Sequence, residues 1–222
     1  ALVDANGNWT FTAPSAMVDG VYNITTTETD PAGNTSAASP ALAVTIDTSA
    51  PAALAAALDV GSNSGLTTDN ITNDNTPTIT GTGATPGDTI TLYAPNGTSV
   101  LGTAVVASDG TWSITTSTSL SDGTQALSVK ATDTAGNVSA ATPVTVVIDT
   151  AVAAPVISPT NGAVVTGTGE PGAIVTLTGP SGIIGTGVVA ADGSWSITPS
   201  SPQANGVALS ATQTDVAGNI SS

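Results

Sequence analysis

The sequence predicts an all-β chain of tandem two-layer sandwiches, and three observations lead to that prediction. Short runs rich in Val, Ile and Thr recur with rough alternation, which is typical of strands with one buried face. Turn-forming residues separate these runs, and the 222 residues include 24 Gly and 14 Pro. The same motifs also recur along the chain, which indicates repeated domains.

A tryptophan motif and an aspartate loop mark the repeats. The first two copies of each motif are 103 residues apart (9 to 112 and 30 to 133), and the next copies follow after 83 and 82 residues. Two independent motifs with matching spacing indicate homologous units of two lengths. We predict the C-terminal half of a repeat at 1–48, a complete repeat with an N-terminal insertion loop at 49–150, and a repeat lacking its last strand at 151–222. They are called here the first, middle and third repeats, and two truncated ends suggest an excerpt of a longer array.

The middle repeat contains seven predicted strands in about 100 residues, which is the pattern of an immunoglobulin-like sandwich. The segment 52–58 is rich in Ala and Leu, so a helix is the alternative there. Trp112 is expected to fill the thin core, and a sugar-stacking role is the alternative. The predicted strands are 52–58, 78–82, 89–93, 102–106, 111–115, 125–131 and 143–148.

The charge balance excludes several kinds of partner. Sixteen acidic residues face a single basic residue, Lys130, and the formal net charge is −15. Such a chain has no basic patch for nucleic acid or for anionic lipid, and no apolar run long enough to insert into a membrane. His and Cys are absent, which removes the usual catalytic dyads, so we predict that the chain is not an enzyme.

The motifs resemble the bacterial immunoglobulin-like repeats of giant RTX-type adhesins exported by type I secretion. The resemblance covers essentially the whole chain and rests on the order and spacing of four motifs. They are Asp-x-Ala-Gly-Asn before a strand ending Ile-Asp-Thr, Asp-Gly-x-Trp-Ser-Ile, Gly-Thr-Gly-Glu-Pro-Gly-Ala at 167–173, and Asp-Asn-Ile-Thr-Asn-Asp-Asn-Thr-Pro at 69–77. The glycine-rich nonapeptide calcium repeats of such adhesins do not occur here.

This resemblance implies an extended rod of monomeric spacer domains at the bacterial cell surface, with Ca²⁺ bound at the joints. Its partners would be neighbouring repeats of the same chain and, through other regions, a host or biofilm surface. In a sandwich, the loops after the second, fourth and sixth strands lie at the pole where the linker arrives. Ca²⁺ prefers six to eight hard oxygen ligands, and the candidates at these poles are Asp47, Asp88, Asp133 and Asn137 at the first joint, and Asp149, Glu170, Asp215 and Asn219, taken as matching positions, at the second.

Other aspartates are ambiguous. Asp109 and Asp192 lie in loops at the same poles. Asp before Gly, as at Asp109, Asp122 and Asp192, is however favoured in turns for backbone reasons alone. The insertion carries Asp59, Asp69 and Asp74, which could hold a second ion or could simply cap a solvated loop.

The predicted function is therefore a structural extender of a surface adhesin, made rigid by calcium. A ligand- or glycan-binding adhesion module is the alternative, and the insertion would be the place to look for it. A linker module of a secreted enzyme is a third possibility.

Overall fold

The structure, a computed structural model, describes all residues from 1 to 222, and its regular elements are strands. The middle repeat is a two-sheet sandwich whose two layers face each other across one core. One sheet has the order β3-β5-β8 and the other β4-β10-β9-β6-β7. The strands are β3 (Ala55–Leu58), β4 (Ile71–Thr72), β5 (Thr78–Thr82), β6 (Thr89–Tyr93), β7 (Val100–Val105), β8 (Trp112–Thr115), β9 (Gly123–Thr132) and β10 (Thr142–Ile148).

Two features of the middle repeat differ from the sequence prediction or decide between its alternatives. The Ala-rich segment forms strand β3, antiparallel to β5, so the helix alternative is wrong there. Pairing of this segment with β5 at the edge of the sheet outweighs the helix propensity of alanine. Strand β4 was not predicted; it lies inside the insertion and pairs in parallel with the end of β10.

Buried and exposed residues alternate along the strands of the middle repeat, as expected for strands with one face in the core. Fourteen apolar residues are buried in it, and along β9 the inward residues are Gln125, Leu127, Val129 and Ala131. Trp112 is 4% exposed, and a Cβ at Gly81 would overlap its ring. Trp112 therefore fills the core, as predicted, and has no free face for a sugar.

The third repeat builds the same sandwich with fewer strands. Its sheets have the orders β11-β12-β15 and β14-β13-β16, and Trp195 packs on Gly167 as Trp112 packs on Gly81. Eight buried apolar residues form its core. The strands are β11 (Val156–Ile157), β12 (Val165–Thr168), β13 (Ile174–Gly179), β14 (Gly182–Val188), β15 (Ser194–Ile197) and β16 (Ser210–Thr214).

The first repeat is a single antiparallel hairpin of β1 (Gly20–Ile24) and β2 (Leu42–Ile46). None of its apolar residues is buried, and Trp9 is 50% exposed. Residues 1–48 thus contribute a linker and one joint, but no core of their own. No helix of the structure has the length and apolar character needed to cross a membrane.

Candidate metal centre at the joints between repeats

The Asp-x-Ala-Gly-Asn loop has one conformation at both joints. In the third repeat, Asp215 Oδ1 accepts the backbone N–H of Asn219 at 2.8 Å, and Oδ2 accepts its side-chain amide at 2.7 Å. In the middle repeat, Asp133 accepts both groups of Asn137 at 2.9 Å. The glycine of each loop has a positive φ, 87° at Gly218, which explains why the motif contains Gly there.

The loop asparagines tie the arriving linker to the repeat. Asn219 Nδ2 also donates to the backbone oxygen of Asp149 at 2.8 Å, and Asn137 Nδ2 donates to that of Asp47 at 3.1 Å. Each amide nitrogen thereby uses both of its protons, while neither Oδ1 takes part in a side-chain hydrogen bond at the joint. In the structure, these two predicted ligands, Asn137 and Asn219, thus hold the linker aspartate in place through hydrogen bonds from their Nδ2 atoms.

Three carboxylates meet at the second joint. Single oxygens of Asp149, Glu170 and Asp215 all lie within 4.8 Å of one another. Asp149 directly follows β10, whereas Glu170 and Asp215 belong to two loops of the third repeat, so the cluster joins two domains. Gln213 positions one member, since its Oε1 accepts the Glu170 N–H at 3.1 Å and its Nε2 donates to the Ala153 carbonyl at 2.8 Å.

The electrostatics of this cluster suit a cation. Burial raises the pKa of Asp149, and the charges of Asp215 and Asp122 raise it further against one opposing backbone hydrogen bond from Ala151. Burial also raises the pKa of Glu170, with added repulsion from Asp149 and Asp215.

Hydrogen bonds reach Asp149 and Asp215 but not Glu170, and no basic residue lies in the cluster. The Glu170 carboxylate accepts no hydrogen bond, and Lys130, the chain's one basic side chain, lies 5.5 Å from the ring centroid of Tyr93. Buried carboxylates without a positive partner are costly, and a bound cation would remove that cost.

The first joint has the same chemistry in a looser form. Burial raises the pKa of Asp88, and the negative charges of Asp133 and Asp47 raise it further. Asp88 is 4% exposed and its carboxylate accepts no hydrogen bond. Hydrogen bonds, chiefly from the Asn137 side chain, hold the pKa of Asp133 below its usual value. The three carboxylates face one another but do not reach the 4.8 Å clustering of the second joint.

Asp88 and Glu170 are not matching positions, which corrects the sequence alignment. Asp88 N–H closes a turn on the Thr85 carbonyl, and Ala173 N–H closes the corresponding turn on the Glu170 carbonyl. Asp88 therefore aligns with Ala173, and Glu170 with Thr85. In the middle repeat this turn carries its carboxylate on its last residue, Asp88, and in the third repeat on its first residue, Glu170.

Asp109 and Asp192 serve their own turns. Asp109 Oδ1 accepts the N–H and hydroxyl of Thr111 at 3.0 and 2.7 Å, and Asp192 Oδ1 accepts those of Ser194 at 2.9 and 2.7 Å. The hydroxyl bonds are the main reason why the pKa of each carboxyl is lowered. The turn-forming alternative therefore describes both residues.

The insertion aspartates do not assemble into one site. Asp59 caps the N–H of Gly61, Asp69 that of Ile71, and Asp74 that of Thr76, at 2.9, 3.0 and 2.9 Å. They form no group of three close carboxylates. The hydrogen bonds that these three aspartates make are those of the loop-capping alternative.

Two aspartates that were not predicted as metal ligands anchor the linkers. Asp19 accepts the Thr48 N–H at 3.0 Å and the Ser49 hydroxyl at 2.7 Å, and Asp122 accepts the Thr150 hydroxyl at 2.9 Å. They are 103 residues apart, like the other repeat motifs, so the spacing could have revealed them. Each accepts a hydrogen bond from the residue that follows the linker aspartate, Thr48 or Thr150, and so holds that residue in place.

Comparison with family models identifies the repeats. The model described as bacterial Ig-like domain matches residues 1–48 and 50–150, and that of the bacterial Ig domain matches 151–222. The chain belongs to the bacterial immunoglobulin-like domain family. This assignment confirms the predicted family and the all-β, immunoglobulin-like fold of the repeats.

Solved structures similar to these bacterial Ig-like repeats include one from a biofilm-associated protein and one from a large adhesion protein. One is a biofilm-associated protein BSP domain (26% identity, 68% of this chain and 27% of that chain, TM-score 0.31). Another is a tetra-tandem repeat from the extending region of a large adhesion protein (24% identity, 99% and 59%, TM-score 0.35). The fibronectin(III)-like modules of Clostridium thermocellum CbhA also match (17% identity, 76% and 90%, TM-score 0.37).

The chain spans about a quarter of the length of the biofilm-associated protein structure and about three fifths of the length of the large adhesion protein structure. At these TM-scores, whole-chain similarity supports no further conclusion. No curated protein matches the chain.

Proposed function

We propose that these bacterial Ig-like repeats form a structural extender of a bacterial surface adhesin, and that Ca²⁺ bound at each joint holds neighbouring repeats in line. The observation that carries the proposal is the meeting of Asp149, Glu170 and Asp215 within 4.8 Å, in a chain with one basic side chain. A non-enzymatic role and an extracellular location are parts of the same proposal.

The donor set suits calcium better than other common metals. It offers carboxylate oxygens, in a chain with no imidazole or thiolate, and such hard oxygen ligands favour Ca²⁺. Mg²⁺ usually keeps several waters and demands regular octahedral geometry. At the second joint Asp149, Glu170 and Asp215 would hold the ion, and at the first joint Asp47, Asp88 and Asp133.

The residues themselves explain how an ion would act on the joint. Without it, negative charges from the linker and from two loops repel one another, and this repulsion favours opening of the joint. With it, the charges are neutralised and the linker aspartate is drawn to the loops of the next repeat. Interfaces between small domains are otherwise weak enough to permit motion, so the ion would convert a flexible joint into a fixed one.

Calcium titration of the full chain after chelation tests the proposal. We expect calorimetry to show binding at both joints, with the second site lost in Asp149→Asn, and we expect small-angle scattering to show a longer, stiffer particle with calcium. Asp192→Asn, which changes the net charge equally at a turn-forming residue, serves as the matched control. Absence of binding heat together with unchanged scattering would overturn the calcium proposal.

A further inference from the structure

We infer that the insertion of the middle repeat, residues 59–77, is a docking element for the repeat that follows, and that it holds the second joint without an ion. Its partner is the Asp-x-Ala-Gly-Asn loop of the third repeat. This inference goes beyond the calcium proposal, because the contact is made by neutral groups of the two domains.

The insertion is fixed to its own repeat close to the joint. Strand β4 pairs in parallel with Val147 and Ile148 at the end of β10. The Asn70 carbonyl accepts the Val147 N–H and the Thr72 carbonyl accepts the Asp149 N–H, both at 2.9 Å. Thr72 is fully buried. The insertion therefore moves with the middle repeat and is attached where the linker begins.

From this base the insertion reaches the third repeat. The Ser64 hydroxyl donates to the Ala217 carbonyl at 2.5 Å and accepts the Asn73 N–H at 2.8 Å, so one side chain links both sides of the joint. The Leu66 N–H points to the Val216 carbonyl at 3.4 Å.

The fit between the two loops leaves no room for a side chain at Gly65. Its φ is +63°, and a Cβ there would overlap the Val216 carbonyl oxygen and lie 2.9 Å from the Ala217 carbonyl carbon. The contact thus brings backbone against backbone, which glycine permits.

The first joint provides an internal comparison. Its loop has the same hydrogen bonds, yet Ala135 is exposed, whereas the equivalent Ala217 has no exposed surface. Likewise a Cβ at Gly136 would meet nothing within 4 Å, while one at Gly218 would lie 3.2 Å from the Gly65 nitrogen. Residues 1–48 correspond to the later half of a repeat and do not include the position of an insertion, whereas at the second joint the insertion covers the loop.

A repeat with the insertion therefore recognises a following repeat whose loop is small at the position of Ala217. The third repeat has only the short segment 158–164 in the corresponding place. The second joint should consequently stay docked when calcium is removed.

Distance measurements between paired spin labels test this inference on the full chain. The protein has no cysteine, so Ser113→Cys with Ser196→Cys reports on the second joint, and Thr45→Cys with Ser113→Cys reports on the first. All three sites are exposed strand positions. In excess chelator we expect a narrow distance distribution across the second joint.

Ala217→Gln should broaden the second distribution in chelator, because the larger side chain displaces the insertion. Ala135→Gln, at the equivalent exposed position, should change neither distribution. Ser64→Ala is the second variant, since it weakens the contact without altering the third repeat, and it should also broaden the distribution.

A broad second distribution in the unmodified chain in chelator, or a narrow second distribution in both Ala217→Gln and Ser64→Ala, would overturn the inference. The calcium proposal is judged separately, by whether added calcium narrows the distribution across the first joint. Either idea can therefore fail while the other stands.

Discussion

Replacing Glu170 by Gln should stabilise the third repeat in chelator and weaken its response to calcium. Gln has nearly the same shape, and the Glu170 carboxylate accepts no hydrogen bond that would be lost. The substitution removes two repulsive pairs, with Asp149 and Asp215, whose oxygens lie within 4.8 Å. The sign of its effect therefore depends on whether an ion is present.

The size of the effect follows from Coulomb's law. At 4.8 Å one pair of unit charges costs about 0.9 kcal/mol at the dielectric constant of water and about 3.5 kcal/mol at an effective value of 20. Because Glu170 is half-buried and salt screens its charge, the lower figure is the better guide. Two pairs then amount to about 1–2 kcal/mol, and each kcal/mol raises the melting temperature of a domain this size by roughly 4–8 °C.

Calorimetric melting of the full chain, in chelator and in calcium, provides the assay. We expect Glu170→Gln to raise the transition of the third repeat in chelator and to reduce the further rise that calcium produces, because one of three negative ligands is gone. Asp192→Asn should lower that transition equally in both conditions, since it loses a turn cap instead. A fall in the melting temperature of Glu170→Gln in chelator would refute the reasoning that the carboxylates repel one another.

Two further predictions concern the same site. In chelator, the free energy of unfolding of the third repeat should fall as pH rises from the usual pKa of a carboxyl, about 4, through the raised pKa values of Asp149 and Glu170. The reason is that the folded state holds those protons more tightly than the unfolded state. Urea unfolding across this window measures the slope, and a slope of opposite sign contradicts the assignment. Gln213→Ala should lower the free energy of unfolding by about 1–3 kcal/mol, because two buried hydrogen bonds are lost, and should speed hydrogen exchange at the Glu170 amide. The fold should survive, because the middle repeat has Ala131 at this position. Unchanged exchange at the Glu170 amide would show that Gln213 does not position Glu170.

Much of the fold could be predicted from local patterns. Strands β5 and β6 have the predicted bounds, and the other predicted strands differ from the structure at their ends. Strand β4 could not be found in this way, because it is two residues long and depends on parallel pairing with β10, more than 70 residues away. The loop conformation was also accessible, since Asp133 and Asn137 bond within five residues of each other.

The candidate site was only partly accessible to sequence reasoning. The pole argument brought Asp149, Glu170 and Asp215 to one joint, and the structure places them within 4.8 Å. It also aligned Asp88 with Glu170, which the turn hydrogen bonds show to be three residues out of register. The Pro-Gly pair shared by the two turns, at 86–87 and 171–172, gives the correct alignment, whereas matching the acidic residues does not.

The sequence by itself determined the repeat pattern, the alternating strands and the turns, because each depends on residues close together in the chain. Only the tertiary structure decided which carboxylates share a joint, which merely cap their own turns, and that the insertion covers Ala217 of the next repeat. Those outcomes depend on how two domains meet. The contacts involved join segments as far apart as Ser64 and Ala217, and neither segment alone carries a pattern that specifies the other.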